Sequence, residues 1–438
     1  MSDAAGSLTH SRVLKIAFPI VLANATVPIL GLVDTGVVGQ LGQAAPIGAV
    51  GIGAIILTGI YWLFGFLRMG TTGMVAQALG AGDRTEVVAL LVRALIIGFG
   101  MGLCIVAVQA PLIWGAFRVS PASNEVEDMA RQYMQIRIWS APATIALYGI
   151  TGWLIAQERT RAVLVLQLWM NGLNIGLDLW FVLGLGWGVP GVAFATFLAE
   201  WSGLALGLWL CRPAFAGRMW RNWRVVFDRT RLRAMALVNG DIMIRSLLLQ
   251  AIFISFLFFG AGFGDVTLAA NQILVQFLEI IATMLDGFAF AASSLVGQAM
   301  GARERIALRR SVVLSSLWGL ICVAGLAVAF WLFGEVIIDW LTTSDEVRRE
   351  ARVYLGYVII APLLGFAAFM LDGIFIGATR TKDMRNMMIL SFIVYAASVA
   401  VLMPIYGNHG LWVALLISFV ARGVTLAWRY PALEARAG

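Results

Sequence analysis

Apolar residues in this chain run in long unbroken blocks, separated by short polar or glycine-rich connections. A helix needs roughly 20 consecutive apolar residues to cross the hydrocarbon core of a bilayer. Twelve blocks of that length are predicted, at about 13–38, 48–79, 88–117, 127–156, 161–183, 190–212, 233–260, 268–299, 308–337, 348–377, 386–405 and 409–431. The runs are continuous rather than alternating, which excludes a membrane β-barrel. The expected fold class is therefore an all-α membrane protein with twelve transmembrane helices.

Composition agrees with that reading. Of 438 residues, 61% are hydrophobic and 13% charged, and the mean hydropathy is +0.88. A soluble chain of this length would carry far more polar surface. The polar opening MSDAAGSLTH shows no small-residue processing site, and the first apolar block is too long for a signal core. That block is expected to stay in the membrane.

The net charge of +7 matters through its placement. Residues 211–233 (CRPAFAGRMWRNWRVVFDRTRLR) hold seven arginines and one acid, Asp228. The clusters GARERIALRR (301–310), TRTKDMR (379–385) and ERTR (158–161) also fall between an even-numbered block and the next odd one. The opposite connections, such as 39–46 and 184–191, carry no basic residue. Short basic connections stay cytoplasmic. Both termini and the central loop are thus expected inside the inner or plasma membrane. The arginine-rich loop reads as a topology signal in contact with anionic lipid, not as a nucleic-acid site. Cys104, Cys211 and Cys322 are scattered without CxxC spacing, and His10 and His409 fall at the surface, so neither a disulfide framework nor a zinc site is expected.

An internal repeat is visible by eye. VAQALGAGDR begins at residue 75 and VGQAMGARER at 296, 221 residues later. ARQYM (130) and ARVYL (351), and ERTR (158) and TRTK (379), keep that spacing. The repeat unit holds six helices, so both halves enter the membrane from the same side and are related by an axis along its normal. The expected lobes are 1–211 and 233–438, joined by a basic cytoplasmic linker at 212–232.

Against this apolar background a few polar residues stand out. Asp34 sits within the first block, where a charge costs at least ~2.5 kcal/mol and therefore faces protein or water. Pro19 and Pro28 precede it and are expected to bend that helix. On the fifth helix Gln167, Asn171, Asn174 and Asp178 recur at spacings of four, three and four, forming one face. Thr196 adds a hydroxyl on the sixth. If Asp34 and Asp178 meet in a low-dielectric site, one holds a proton or a cation lies between them. Carboxylate, amide and hydroxyl oxygens suit Na⁺ as well as a proton relay, and a pair serving only helix packing is the alternative. At the 221-residue offset Asp34, Asn174 and Asp178 become Ser255, Tyr395 and Val399, so the site is expected in the first half alone.

The second half has its own polar stripe. Gln272, Gln276, Glu279, Thr283 and Asp286 share one face of the eighth helix. With Asp372 on the tenth they are candidates for the substrate cavity, a helix–helix hydrogen-bond seam being the alternative. Asp241 and Arg245, four apart, are expected to pair with each other. Arg68 requires an acidic or carbonyl partner.

LVDTGVVGQLG, NIGLDLWFVLGLGWGVPGVAFAT and LDGFAFAASSLVGQAMGA, in that order on two six-helix halves, resemble the multidrug and toxic compound extrusion (MATE) family, in its DinF branch. The resemblance implies a V-shaped transporter of two parallel-repeat lobes, working as a monomer without cofactor. It implies export of organic cations or other amphipathic small molecules in exchange for H⁺ or Na⁺. Carried over, the family's first-lobe ion site matches Asp34, Asn174, Asp178 and Thr196, and Pro19 matches the proline associated with bending. No metal site is expected beyond Na⁺ at those four residues. The alternatives are a flippase of lipid-linked precursors and an exporter of organic anions such as citrate. A membrane-embedded enzyme is disfavoured, because no HExxH, GxSxG or GxxxxGK[ST] pattern occurs.

Overall fold

The computed structural model describes residues 8–40, 42–119 and 123–437. The polar leader and parts of two connections expected from the sequence (1–7, 41 and 120–122) lie outside them. Among the described residues twelve helices are long and apolar enough to span a membrane: α1 His10–Gly39, α2 Ala44–Gly80, α3 Arg84–Ala107, α4 Asn124–Ala156, α5 Thr160–Gly184, α6 Gly188–Leu210, α7 Arg229–Ala261, α8 Asp265–Gly301, α9 Arg305–Leu341, α10 Asp345–Gly377, α11 Thr381–Tyr406 and α12 Asn408–Glu434. This is the all-α membrane architecture that the apolar blocks predict.

One block runs differently from its expected span. The run at 88–117 is two helices, because α3 ends at Ala107 and a separate helix covers Gln109–Val119. Pro111 explains the break, since it has no N–H to donate to the carbonyl of Ala107 four residues before it.

The repeat is written into the turns as well as the sequence. Gly82 and Arg303 have φ of 74° and 57°, and Glu158 and Thr379 have φ of 59° and 50°. Each pair is 221 residues apart. Each residue ends a helix in the left-handed conformation, and after Glu158, Arg303 and Thr379 the following amide reaches back to close the turn (Arg159 N to Leu154 O and Arg380 N to Phe375 O, both 2.9 Å, and Glu304 N to Ala299 O, 3.0 Å). Close helix packing repeats too. A Cβ on Gly152 would lie 2.4 Å from the carbonyl oxygen of Arg68, and one on its counterpart Gly373 would lie 2.3 Å from that of Ala289.

The chain divides into two compact units, 22–75 with 83–233, and 1–21 with 76–82 and 234–438. The second unit thus takes in the start of α1 and the end of α2. Its internal contacts give the reason. Arg12 donates to Gln298 Oε1 at 3.3 Å, and Gly287 leaves room for Val21 and the carbonyl of Ala17. Gln77 donates to the carbonyl of Gly377 at 3.0 Å and to Thr379 Oγ1 at 3.1 Å. Gly80 and Gly301 make a reciprocal approach, each so close to the other helix that a Cβ would sit 2.0 Å from Gln298 O or Gln77 O.

Within the first unit the basic linker is held against α3. Arg93 donates to the carbonyls of Val226 (2.8 Å) and Val225 and pairs with Glu86 at 2.6 Å. Val226 packs on Ala89 and Val92.

Candidate functional site

The helices of the second half are regular throughout, whereas four of the first half are interrupted. α1 breaks at Thr26, between His10–Ala25 and Val27–Gly39. It stays helical through Pro19, and Pro28 lies in the first turn of the second segment. Pro28 cannot donate to the carbonyl of Asn24, which loosens the ladder at this point. α2 passes through a 3-10 turn at Leu63–Gly65 and α4 through another at Ile138–Ser140. α5 widens into a π-helical turn at Leu179–Gly184. Such turns inside a helix often accompany functional sites.

Three of these irregularities adjoin one polar cluster. Asp178 is the last regular residue of α5 before the π turn and is fully buried. Asp34 lies on the second segment of α1, half-buried. The two carboxyl groups lie against the same side-chain amide, close enough that a proton or cation on the pair relieves their repulsion. Asn174 joins them from one turn back on α5. Its amide nitrogen donates to Asp34 Oδ1 at 3.2 Å and Asp178 Oδ2 at 3.3 Å, and its oxygen accepts from Thr196 Oγ1 at 3.0 Å. With the amide reversed, the nitrogen would meet Thr196 Oγ1 while the oxygen faced two carboxylates. We therefore place the nitrogen toward the acids.

The polar face of α5 continues from this cluster to the α1 break. Gln167 donates to Asn171 Oδ1 at 3.0 Å, and Asn171 donates to Thr26 Oγ1 at 2.8 Å. Asp34, Asn174, Asp178 and Thr196, singled out from sequence, thus come together in the first unit.

Two further charges complete the cluster. Arg137, the last residue of the first α-helical stretch of α4, is buried and pairs with Glu200 of α6 at 2.8 Å. Its guanidinium also acts electrostatically on both Asp34 and Asp178. Tyr61 donates to the backbone carbonyl of Arg137 at 3.1 Å. Sequence reasoning missed Arg137, Glu200 and Thr26. The first two could have been found by the rule that picked out Asp34, a single charge within an apolar run. Arg137 is inconspicuous in the sequence because it lies just beyond an acid- and arginine-containing connection. Asp178 Oδ1 and Arg137 Nε have no hydrogen-bond partner among the described residues. No group of three or more His, Cys, Asp or Glu side chains poised to hold a metal occurs among them either.

The second-half candidates are placed differently. Gln272, Gln276 and Glu279 are exposed, and Thr283 and Asp286 are partly buried, along the face of α8 opposite its buried Asn271, Leu274 and Leu278. Asp372 is buried and engaged by Arg245 of α7 and, at 3.8 Å, by Arg422 of α12. The expected Asp241–Arg245 pairing is replaced. Asp241 is taken by Arg385 at 2.6 Å and Thr381 at 3.1 Å, both at the start of α11. Spacing on one helix could not reveal partners supplied by its neighbours.

The MatE family pattern matches residues 19–180 and again 242–402, once in each half. The chain belongs to that family. It is 38% identical to the DNA damage-inducible protein F of Escherichia coli K12, over 94% of this chain and 91% of that one. It is 25% identical to the probable multidrug resistance protein NorM of Synechocystis, covering 97% and 94%. Among solved structures, the Vibrio cholerae MATE transporter VcmN in its bent form matches with a TM-score of 0.87 at 21% identity, over 100% of this chain and 99% of that one. A MOP superfamily transporter from Pyrococcus furiosus matches at 0.81 and 19% identity, over 100% and 98%. These structures establish the MATE fold. The family makes the chain an integral, multi-pass membrane transporter of small molecules.

Proposed function

We propose that this chain is a secondary active antiporter of the inner membrane, with cytoplasmic termini. It exports organic cations or amphipathic compounds in exchange for H⁺ or Na⁺. The reading draws on its relative NorM, a probable multidrug resistance protein. Its mechanism rests on one observation, the Asp34–Asp178 pair bridged by Asn174.

Charge arithmetic explains why this pair suits coupling. With both acids ionised, the cluster holds three carboxylates (Asp34, Asp178 and Glu200) against the single guanidinium of Arg137. Glu200 already occupies that guanidinium at 2.8 Å. The surplus negative charge attracts a proton or a compact cation from water. Once the ion is bound, Asp34 no longer repels Asp178, and the α1 segment that carries it is free to settle against α5. Release of the ion restores the repulsion. Because the segment is loosened at Thr26 and Pro28, the change in charge is transmitted to α1 rather than absorbed at the site. Ion and substrate drive each other only if they bind the two conformations unequally. The lobes that alternate are taken as 1–211 and 233–438, with the 212–232 linker on the cytoplasmic face against anionic lipid.

The experiment is efflux from cells with each acid neutralised. Asp34→Asn and Asp178→Asn are each expected to abolish gradient-driven efflux while membrane levels stay unchanged. Full efflux in both variants would refute the scheme.

A further inference from the structure

The second unit contains a buried charge cluster of the opposite sign. Arg245 (α7), Asp372 (α10) and Arg422 (α12) are 6%, 4% and 1% exposed. Arg245 Nη2 bonds to Asp372 Oδ2, and Arg422 Nε stands 3.8 Å from that same oxygen, at ion-pair distance but beyond a hydrogen bond. Two guanidinium groups thus share one carboxylate, leaving an excess positive charge in a buried position. Arg422 is also held over the ring of Phe369, 5.2 Å from its centroid.

Three other acids of this unit are committed elsewhere. Asp241 binds Arg385, Asp383 binds Arg380 and Arg429, and Glu434 binds Arg305 and Arg309. Among the described ion pairs, Asp372 is the acid that reaches Arg422. Nε and Nη2 of Arg422 and Nε of Arg245 have no hydrogen-bond partner among the described residues. A buried guanidinium is tolerated when its N–H groups and its charge are matched. A planar fork of donors with a surplus positive charge matches a compact anion.

We propose that Arg422 and Arg245 form a binding site for a small singly charged anion, of halide or carboxylate chemistry. A second bound cation beside Asp372 would be repelled by both arginines, so this half is built for the opposite charge to the Asp34–Asp178 site. The site belongs to one half only, because the positions equivalent to Arg245, Asp372 and Arg422 are Asn24, Thr151 and Trp201. Asp372 competes with the anion for the same guanidinium groups and so sets its affinity.

The test is binding to the full-length protein in nanodiscs and does not depend on transport. Thermal unfolding is followed while sodium gluconate is replaced by sodium chloride, or by sodium acetate, at constant ionic strength. Chloride, acetate or both are expected to raise Tm saturably, by roughly 2–4 °C. The active salt identifies the source as halide or carboxylate. Arg422→Gln is expected to remove the rise. Asp372→Asn, which frees the guanidinium groups, is expected to shift half-saturation at least tenfold lower, and it keeps the test decisive if Arg422→Gln does not fold. A Tm in the wild type that is the same in all three salts would overturn the proposal. So would a rise that survives in Arg422→Gln, or a half-saturation unmoved in Asp372→Asn.

Discussion

Asn174 shows how a neutral side chain can organise charged ones. Its amide has donors for two acids and an acceptor for the Thr196 hydroxyl, so one residue ties together three helices at the proposed ion site. Arg137 and Glu200 set the background charge beside it. Removing one member of a buried ion pair leaves the other unmatched, at a cost of about 3–5 kcal/mol. Arg137→Gln is therefore expected to lower thermal stability markedly in nanodiscs, and the added change Glu200→Gln to recover most of the loss. If the double variant is no more stable than the single one, the pair is not what Arg137 serves. The individual acids were legible in the sequence because a lone charge in an apolar run stands out. Their meeting was implied by the family resemblance alone, because contact between α1 and α5 depends on packing that no spacing along one helix encodes. The same limit hid the capture of Asp372 by arginines from α7 and α12.

At the scale of elements, regular and irregular helices divide between the halves. The prolines of α1 are plain in the sequence, but the chain stays helical through Pro19 and breaks at Thr26. There the Asn171 amide binds the threonine hydroxyl and carbonyl. Pro28→Ala would return the missing donor to the Asn24 carbonyl and knit the two segments together, removing a penalty of up to ~3 kcal/mol. The expected outcome is a higher Tm with slower turnover. A higher Tm with unchanged turnover would show that the break has no part in transport. Glycines give a second contrast. A methyl on Gly301 would strike the carbonyl of Gln77, whereas one on Gly356 meets nothing within 4 Å. Overpacking costs about 1–3 kcal/mol, and replacing an open helical glycine by alanine gains up to ~1 kcal/mol. Gly301→Ala is thus expected to destabilise and Gly356→Ala to stabilise, in the same unfolding assay.

For the whole molecule, twelve spans and their two-fold repetition were readable because hydrocarbon imposes a length and the repeat kept its spacing. The left-handed turns at Glu158 and Thr379 show that the repetition reaches the backbone. The two polar clusters break the symmetry. The first half has an acid-rich cluster among interrupted helices, and the second an arginine-rich one among regular helices. The division of α1 and α2 between the compact units was not readable, because their terminal turns are as apolar and helical as the rest and differ only in what they pack against. The central claim is that the Asp34–Asp178 pair carries the coupling ion. Ion flux into liposomes, stimulated by substrate under pH and sodium gradients imposed separately, tests it most directly. The wild type should move one of these ions only when substrate is added, and Asp34→Asn and Asp178→Asn should move none. Substrate-stimulated flux of that ion at the wild-type rate in either variant would contradict the account.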